Sequence, residues 1–431
     1  MLIPGMAHGR FRIREARCFT ARVAGRSSID APGPGVATSA RDRGIGVSLL
    51  LTLALLAALA PIATDLYLPG FPAMGRDLRA DASGVQLTLT TFLVGLAAGQ
   101  LIMGPLSDRY GRRPPLLASA LVCVGAGALT AVAPNLPVLI AARLAQGLAG
   151  AGGMVIGRAV IADLVTGRAA AKAFTLMLTV GGVAPVLAPL VGGLLSGPIG
   201  WRGMLWTVTG LCVVMLVAVF VVVPETRPAA ARRQAHQPYR ATLRRVLASR
   251  GYWTYTGVFA LSFGMMMAYI SSSPFVYQQV LGLSEVQYGL AFGVNAAALI
   301  GTGALVSRMV DVVRPRRIVA LSLGLQLIAT AGFVVLVLVG APAWTYAVAI
   351  FVAVLSNGGI VGTSAALAMA YVREVAGTGS ALMGFSQFAV GAVVSPLVGL
   401  SGDHSAVAPA IVMACSTLLA VAAGTLAPPE S

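Results

Sequence analysis

The sequence predicts an all-α polytopic membrane protein in which twelve transmembrane helices form two pseudo-symmetric six-helix bundles. Of its 431 residues, 57% are hydrophobic and 10% are charged, whereas about a quarter of the residues of a soluble domain are charged. Apolar runs of about 18 residues or more, each long enough to cross a bilayer, recur along the chain. The runs, numbered in order as helices 1 to 12, cover residues 47–68, 85–107, 116–133, 138–157, 173–196, 203–223, 253–273, 286–306, 318–340, 344–369, 376–399 and 406–427.

The longest polar break, residues 224–250, separates the first six runs from the last six. Two halves of nearly equal length indicate a duplicated six-helix unit, as in many transporters. We predict an N-terminal bundle at 45–223 and a C-terminal bundle at 251–427, joined by a basic cytoplasmic linker at 224–250. Residues 1–44 are expected to be a disordered cytoplasmic tail, which a start codon placed too far upstream explains equally well, and 428–431 a short cytoplasmic tail.

The net charge of +16 reflects membrane topology and does not indicate a nucleic acid partner. Outside the N-terminal tail, eighteen basic residues fall in even-numbered connections between the runs and three in odd-numbered ones. By the positive-inside rule, this bias places both termini in the cytoplasm of a bacterial inner (plasma) membrane. The four cysteines and three histidines have no metal or disulfide spacing, and no phosphate loop or enzyme constellation is present. We therefore expect no metal, no cofactor and no enzymatic activity.

A charged segment between helices 2 and 3, residues 104–114, reads GPLSDRYGRRP. It resembles the loop pattern G-x-L-x-D-R-x-G-R-[RK] of the major facilitator superfamily. The resemblance implies that Asp108, with Arg112 as its partner, helps to close a cytoplasmic gate against helix 11. It also implies that the first glycine permits tight helix packing and the second permits the turn. Positive-inside anchoring alone would explain the arginines but neither the acid nor the glycines. The predicted gate residues are Gly104, Asp108, Arg109, Gly111, Arg112 and Arg113.

Two ionisable residues lie inside the apolar runs: Asp65 near the outer end of helix 1 and Arg143 near the outer start of helix 4. A charge in hydrocarbon is costly unless it lines a cavity or has a partner, so each is a functional candidate. With a rise of about 1.5 Å per residue, the two lie at similar depth and could interact directly or through water. The alternative is a fixed ion pair that only sets packing.

Both residues lie in patterns of the same superfamily. The segment TDLYLP, residues 64–69, resembles the D-x-Y-L-P of drug/proton antiporters, and RLAQG, residues 143–147, resembles R-x-x-Q-G of helix 4. The resemblance implies that Arg143 controls the proton affinity of a nearby acid. A nearby cation favours the carboxylate and desolvation favours the neutral acid. Because alternating access changes both, such an acid can exchange a proton for a substrate.

Helix 5 carries APVLAPLVGG at residues 184–193, in which Pro185, Pro189 and Gly192 share one helix face and Gly193 follows. Prolines in a membrane helix weaken its backbone hydrogen bonds and allow it to bend. The segment resembles the P-x-x-G-P-x-x-G-G motif of antiporters, with Ala188 in place of a glycine. The resemblance implies export rather than uptake, and the alternative is an ordinary kinked packing helix.

Helix 7 carries AYISSSPFVYQQ at residues 268–279. Together with the segment around Asp65, it is similar to the Bcr/CflA subfamily of drug-resistance transporters, over about residues 45–427. The loop after helix 4 departs from the R-A-I-V-R-D of that subfamily, because Ala162 stands in place of the second arginine after Arg158.

Methionine, aromatic and amide side chains within the runs are candidates for the wall of a substrate cavity, because they offer pliable apolar surface and polar contacts. In a membrane helix, most such residues face lipid or hold helices together, which is the alternative for each. The predicted cavity residues are Tyr67, Gln146, Met266, Tyr269, Asn295, Asn357, Phe385 and Gln387.

We therefore expect proton-coupled efflux of small amphipathic, drug-like molecules across the inner membrane by alternating access, powered by the proton gradient. The expected partners are the substrate, protons and the lipid bilayer, and the expected functional unit is a monomer. Two alternatives stay open, a proton-coupled uptake symporter for a small metabolite and a transport-inactive membrane sensor or scaffold.

Overall fold

The structure is a computed structural model that describes residues 46–227, 239–402 and 404–427, and within these ranges it contains helices and no β-strand. The helices are α1 (Val47–Asp65), α2 (Phe71–Leu78), α3 (Ala82–Tyr110), α4 (Arg113–Ala131), α5 (Leu136–Leu164), α6 (Gly167–Val222), α7 (Tyr239–Ala248), α8 (Arg250–Phe275), α9 (Glu285–Met309), α10 (Pro315–Leu338), α11 (Trp344–Ala370), α12 (Ala376–Leu397) and α13 (Val407–Thr425). Short turns lie at Leu68–Gly70, Val276–Val280 and Arg373–Val375.

Helix α6 contains two membrane crossings. It has 56 residues and is broken at Gly200, whose φ of 64° lies in the left-handed region that favours glycine. The break separates a first arm, residues 167–199, from a second arm, residues 201–222. Eleven helices of the described chain are long and apolar enough to cross a membrane, with α6 counted once. The predicted all-α class with twelve crossings is therefore confirmed, and each predicted run coincides with one crossing.

The crossings alternate in direction, so the fold has two ends. We name the end at which α1 begins the terminal end; it also holds the connection between α3 and α4 and the helix α7. The opposite end, the distal end, holds α2 and the connection between α4 and α5. Helix α7 occupies the last part of the predicted linker, whereas the predicted tails and residues 228–238 lie outside the described residues. The described residues form one compact unit, and their division into two bundles stays a prediction. We refer to α1–α6 as the first half and to α8–α13 as the second half.

Three helices begin at the distal end, and at the start of each a side chain accepts a hydrogen bond from a backbone N–H group that has no partner within the helix. Asp81 accepts from the amide of Gly84 at 2.7 Å at the start of α3, and Asn135 accepts from the amide of Val138 at 3.1 Å at the start of α5. Ser284 forms a capping box at the start of α9. Such caps stabilise a helix by about 1 kcal/mol each.

Helices α3 and α5 meet backbone to backbone, and this contact places the buried arginine of α5. A Cβ atom added at Gly147 would lie 2.1 Å from the carbonyl oxygen of Phe92, and one added at Gly95 would lie 2.3 Å from that of Leu144. Small residues permit this approach of two membrane helices. As a result, Arg143, one turn before Gly147, lies beside the ring of Phe92.

Candidate functional site

Arg143 is fully buried and is held by neutral groups of α1 and α5. Its Nη1 donates to Oε1 of Gln146 at 2.7 Å, and its Nη2 donates to the carbonyl oxygen of Ala63 at 3.0 Å and to the hydroxyl of Tyr67 at 3.1 Å. The guanidinium also lies 4.6 Å from the ring centroid of Tyr67 and 4.2 Å from that of Phe92. Rings on which a desolvated cation rests stabilise it by cation–π attraction.

Asp65 is the last residue of α1, four residues before Pro69, which contacts the second half. It is 3% exposed, and its Oδ1 has no hydrogen-bond partner among the described residues. The carboxyl group interacts electrostatically with the hydroxyls of Tyr269 on α8 and Tyr288 on α9. A buried polar atom without a partner is rare in native proteins and calls for a functional explanation.

The described residues contain no ion pair between Asp65 and Arg143, so the direct pair that the sequence allowed does not form, and neither does a fixed ion pair. Arg143 bonds to residues 63 and 67, which flank Asp65 by two positions on each side. Successive residues of a helix are about 100° apart, so residues two positions apart point in nearly opposite directions. The end of α1 therefore directs Tyr67 toward α5 and Asp65 away from it.

Tyr269 and Tyr288 belong to a hydroxyl cluster, which we define as Tyr269, Tyr277, Tyr288, Ser273 and Asn295. The amide nitrogen of Asn295 donates to the hydroxyls of Tyr269 at 2.9 Å and Tyr277 at 3.1 Å. The hydroxyls of Ser273 and Tyr288 lie 3.0 Å apart. This array can donate hydrogen bonds to an ionised carboxyl or accept one from a protonated carboxyl.

The two halves are in direct contact at the distal end. Nε2 of Gln86 on α3 donates to the carbonyl oxygen of Ser271 on α8 at 3.1 Å, and Nε2 of Gln278 donates to the carbonyl oxygen of Pro69 at 3.1 Å. Gln86 and Ser271 are both buried. In this conformation the distal end is closed between the halves.

The predicted motif of α6 takes part in the same contact. A Cβ atom added at Gly192 would lie 2.0 Å from the carbonyl oxygen of Leu66 at the end of α1, and one added at Gly193 would lie 2.6 Å from that of Glu285 in the second half. The two prolines of the motif lie about one and two turns earlier within the same helix. The glycines thus pack the first arm of α6 closely against both halves.

At the terminal end, Arg112 is the centre of a charged network. It donates through Nη1 to Asp108 and through Nε to Asp163, each at 2.8 Å. Arg227 donates to Asp108 at 2.7 Å, and Glu225 accepts from the backbone N–H of Arg112 at 2.9 Å. Burial alone would lower the pKa of Arg112, but the hydrogen bonds and charges of Asp163 and Asp108 outweigh it and raise that pKa.

The predicted pairing of Asp108 with Arg112 is observed, but its predicted contact with helix 11 (α12) is not. In the described chain, the partners of Asp108 are in the first half and the start of the linker. Its i, i+4 bond to Arg112 holds the side chain toward the loop that follows α3. Gly111 has a φ of 95°, as the predicted turn requires. A Cβ atom at Gly104 would lie 3.9 Å from Val155, an ordinary contact, so tight packing does not depend on this glycine.

The two remaining arginines of the predicted gate differ in their surroundings. Arg113 donates through Nη2 to the carbonyl oxygen of Phe220 at 2.7 Å and so ties the start of α4 to the end of α6. Arg109 is exposed, and its guanidinium lies 5.4 Å from the ring centroid of Tyr110. Arg112 is therefore the arginine of this segment whose side chain forms ion pairs with carboxylates.

The predicted cavity residues do not form one group. Two of them contact the buried arginine and two belong to the hydroxyl cluster. Asn357 accepts a 3.4 Å hydrogen bond from Gln326 and so joins α11 to α10 within the second half. Met266 is buried on α8, whereas Phe385 and Gln387 are partly exposed on α12. A role for these residues in substrate binding stays a prediction.

Arg158 is a candidate functional residue that lies on a helix and not in the loop predicted after helix 4. Helix α5 continues to Leu164, so Arg158 lies on the helix and within its membrane-spanning segment. Its Nη2 donates to Oε1 of Gln100 on α3 at 3.2 Å, and its Nη1 lies 3.5 Å from the hydroxyl of Ser380 on α12. The apolar residues Val160 and Ile161 that follow it were the available signal that the helix continues.

Comparisons with known proteins agree with this architecture. A family model described as Major Facilitator Superfamily matches residues 53–396. An uncharacterized MFS-type transporter of Bacillus subtilis (strain 168) is 34% identical over 360 residues, which cover 82% of this chain and 89% of the relative. A bicyclomycin resistance protein homolog of Haemophilus influenzae is 29% identical over 362 residues, which cover 81% of this chain and 88% of that one.

Among solved structures, a crystal structure of a D-xylose-proton symporter superposes with a TM-score of 0.71. The superposition covers 88% of this chain and 98% of the symporter, at 17% sequence identity. At this identity the likeness concerns the fold alone.

Proposed function

The chain belongs to the major facilitator superfamily, whose members are transporters and not enzymes, and we propose that it is a proton-coupled exporter of small amphipathic, drug-like molecules of the Bcr/CflA type. It works in a bacterial inner (plasma) membrane with both termini in the cytoplasm. The proton gradient supplies the energy without a cofactor, and one chain is the functional unit.

The observation that carries this proposal is the position of Asp65. Its carboxyl group is buried near the contact between the two halves, one of its oxygens has no partner in the described chain, and two tyrosine hydroxyls of the other half interact with it electrostatically. When the distal end opens, the carboxyl group loses these neighbours and meets water. A carboxyl group whose surroundings change between two conformations can take up a proton in one and release it in the other.

Arg143 supports this role indirectly. Its bonds to Ala63 and Tyr67 fix the backbone and the side chain on either side of Asp65, so the orientation of the acid depends on the arginine. The partners of its guanidinium are two aromatic rings and three neutral acceptors. Because none of them carries a negative charge, the guanidinium can attract the carboxylate of Asp65 if α1 rotates. We propose that the two charges are closer in one of the two transport conformations.

Two observations favour export over uptake. The first arm of α6 carries the antiporter-like motif, and its glycines pack against α1 and α9 at the distal closure. A relative that aligns with most of the chain is named a bicyclomycin resistance protein homolog. A transporter confers resistance by moving the compound out of the cytoplasm.

The experiment compares the protein with Asp65→Asn in everted membrane vesicles, using ethidium as the fluorescent probe. We expect an imposed proton gradient to drive accumulation by the parent, and the variant to lose the dependence of its rate on pH. Asp311→Asn, which removes an exposed acid at the terminal end, is the matched control and should behave like the parent. A variant at position 65 that stays as dependent on pH as the parent contradicts the proposal.

The same assay tests the alternatives. An uptake symporter would accumulate the probe in energised intact cells, whereas an exporter excludes it. A sensor or scaffold would move no compound under either gradient. Either result would replace the proposed function.

A further inference from the structure

Arg158 is a partly buried cation between the halves, near the terminal end of α5. It lies 15 residues after Arg143, which corresponds to about 22 Å along the helix. Its Nε donates to the carbonyl oxygen of Met154 at 3.0 Å, and its other two bonds are to Gln100 and Ser380. These three acceptors are neutral, and they belong to α5, α3 and α12. The guanidinium thus spans both halves.

No acid within the described chain forms an ion pair with Arg158. The nearest one in sequence, Asp163, is already paired with Arg112, and Asp65 lies at the other end of the fold. A desolvated cation without a counter-charge is costly, and such a group is retained where it receives an anion or lines a path for one. The two bonds that cross to other helices, at 3.2 and 3.5 Å, are longer than the bonds of about 2.8 Å that a guanidinium forms with a carboxylate.

Helix α12 packs closely against the polar contacts of Arg158, and its next residues are partly exposed. A Cβ atom added at Gly384 would lie 3.0 Å from Oε1 of Gln100, the oxygen that accepts from Arg158, so the glycine lets α12 approach this polar group. From this point toward the membrane interior, residues 381–387 of α12 are all partly exposed. One turn farther in, Phe388 packs edge-on against Phe263 of α8 at 5.8 Å.

We propose that Arg158, together with Gln100 and Ser380, binds the carboxylate of an amphipathic substrate between the halves, near the terminal end. The fork of the guanidinium takes both carboxylate oxygens, and the hydroxyl of Ser380, released from its weak contact with Arg158, donates to one of them. The apolar part of the substrate then lies along α12 toward its phenylalanines. The inference deepens the proposed function and rests on it only in that the bound molecule is the transported one.

The test measures equilibrium binding by the purified full-length chain in detergent, with two fluorescent probes of the same apolar group: dansylglycine, a carboxylate, and dansylglycinamide, its neutral counterpart. We expect the parent to bind dansylglycine more tightly than the amide. Arg158→Gln should weaken dansylglycine binding about ten- to a hundredfold, because a hydrogen-bonded charge pair is lost, and leave the amide unchanged. Arg158→Lys, which keeps the charge but not the fork, should fall between the two.

Arg244→Gln is the matched control, since it removes the same charge from an exposed position on α7 at the same end of the molecule. It should change neither affinity. A parent protein that binds both probes equally overturns the inference, and this result does not depend on the folding of any variant. Equal preference in the parent and in Arg158→Gln overturns it as well. Because no gradient is applied, failure of proton-coupled export would leave this binding preference intact, and the two failures are distinguishable.

Discussion

Tyr67 holds Arg143 in two ways: its hydroxyl accepts a 3.1 Å hydrogen bond from the guanidinium, and its ring centroid lies 4.6 Å from the same group. The hydroxyl also lies 3.2 Å from that of Thr88, which donates to the carbonyl oxygen of Val85. Because the single O–H group of Thr88 donates to Val85, Tyr67 is the donor in its bond to Thr88. A continuous chain of hydrogen bonds therefore connects the buried charge to the start of α3.

We expect Tyr67→Phe to keep the cation–π contact and to break this chain. One N–H group of Arg143 and the hydroxyl of Thr88 then lose a partner in the protein interior, which costs about 1–3 kcal/mol. The thermal unfolding midpoint of the purified protein should fall measurably. Tyr110→Phe removes the same atom from an exposed ring and should leave the midpoint unchanged, and equal midpoints for the two variants would contradict the prediction.

We expect Arg112→Gln to destabilise the terminal end far more than Arg109→Gln, although the two arginines are neighbours in one motif. The first change leaves Asp163, whose side chain is 24% exposed, and the more exposed Asp108 without their shared cation. Because both acids retain some water, the cost should be about 1–3 kcal/mol, below that of breaking a fully buried pair. Thermal unfolding at low and high salt measures it. If both variants unfold alike, the carboxylate contacts of Arg112 contribute nothing.

We expect Gly192→Ala to impair both folding and transport. The added methyl group would lie 2.0 Å from the carbonyl oxygen of Leu66, so α1 and α6 must move apart. Overpacking of this kind costs about 1–3 kcal/mol, and here it also displaces the segment that carries Asp65. Gly182→Ala is the matched control on the same helix, because nothing lies within 4 Å of its added methyl group. Vesicle transport and the unfolding midpoint should both separate the two variants.

The helices could be predicted from the sequence because each has to bury an apolar segment of membrane length, and a run of that length is visible in the residues alone. The sequence also places Asp65 and Arg143 at similar depth. It does not show that Asp65 points away from Arg143, because a small rotation at the end of a helix decides which neighbour a side chain meets. Arg158 was assigned to a loop because an arginine ends an apolar run, even though the helix continues.

Contacts between distant segments could not be predicted from the sequence, for a different reason. The bond between Arg112 and Asp163 joins residues 51 positions apart, and the approach of Gly192 to α1 depends on how α6 is placed in the fold. The loop motif indicates that charges meet at the terminal end but not which helix supplies the second acid. The resemblance to the superfamily predicts a contact of Asp108 with helix 11. In this conformation, the second partner of Asp108, besides Arg112, is Arg227 of the linker.

The distal closure can be weakened at one hydrogen bond, from Gln86 of the first half to the backbone of Ser271 in the second half. We expect Gln86→Ala to destabilise the closed state by about 1 kcal/mol, because the bond is buried and its carbonyl partner regains water only when the end opens. A change of this size shifts the ratio of closed to open molecules about fivefold.

Spin labels at Val132→Cys and Val339→Cys, both exposed near the distal end, measure the distance between the halves in a background without the natural cysteines. The open molecules should appear as a population with a longer distance. Gln326→Ala is the control, because this buried glutamine bonds only within the second half. An identical distance distribution in all three proteins would mean that other contacts, such as those of Gly193 and Gln278, hold the distal end closed without Gln86.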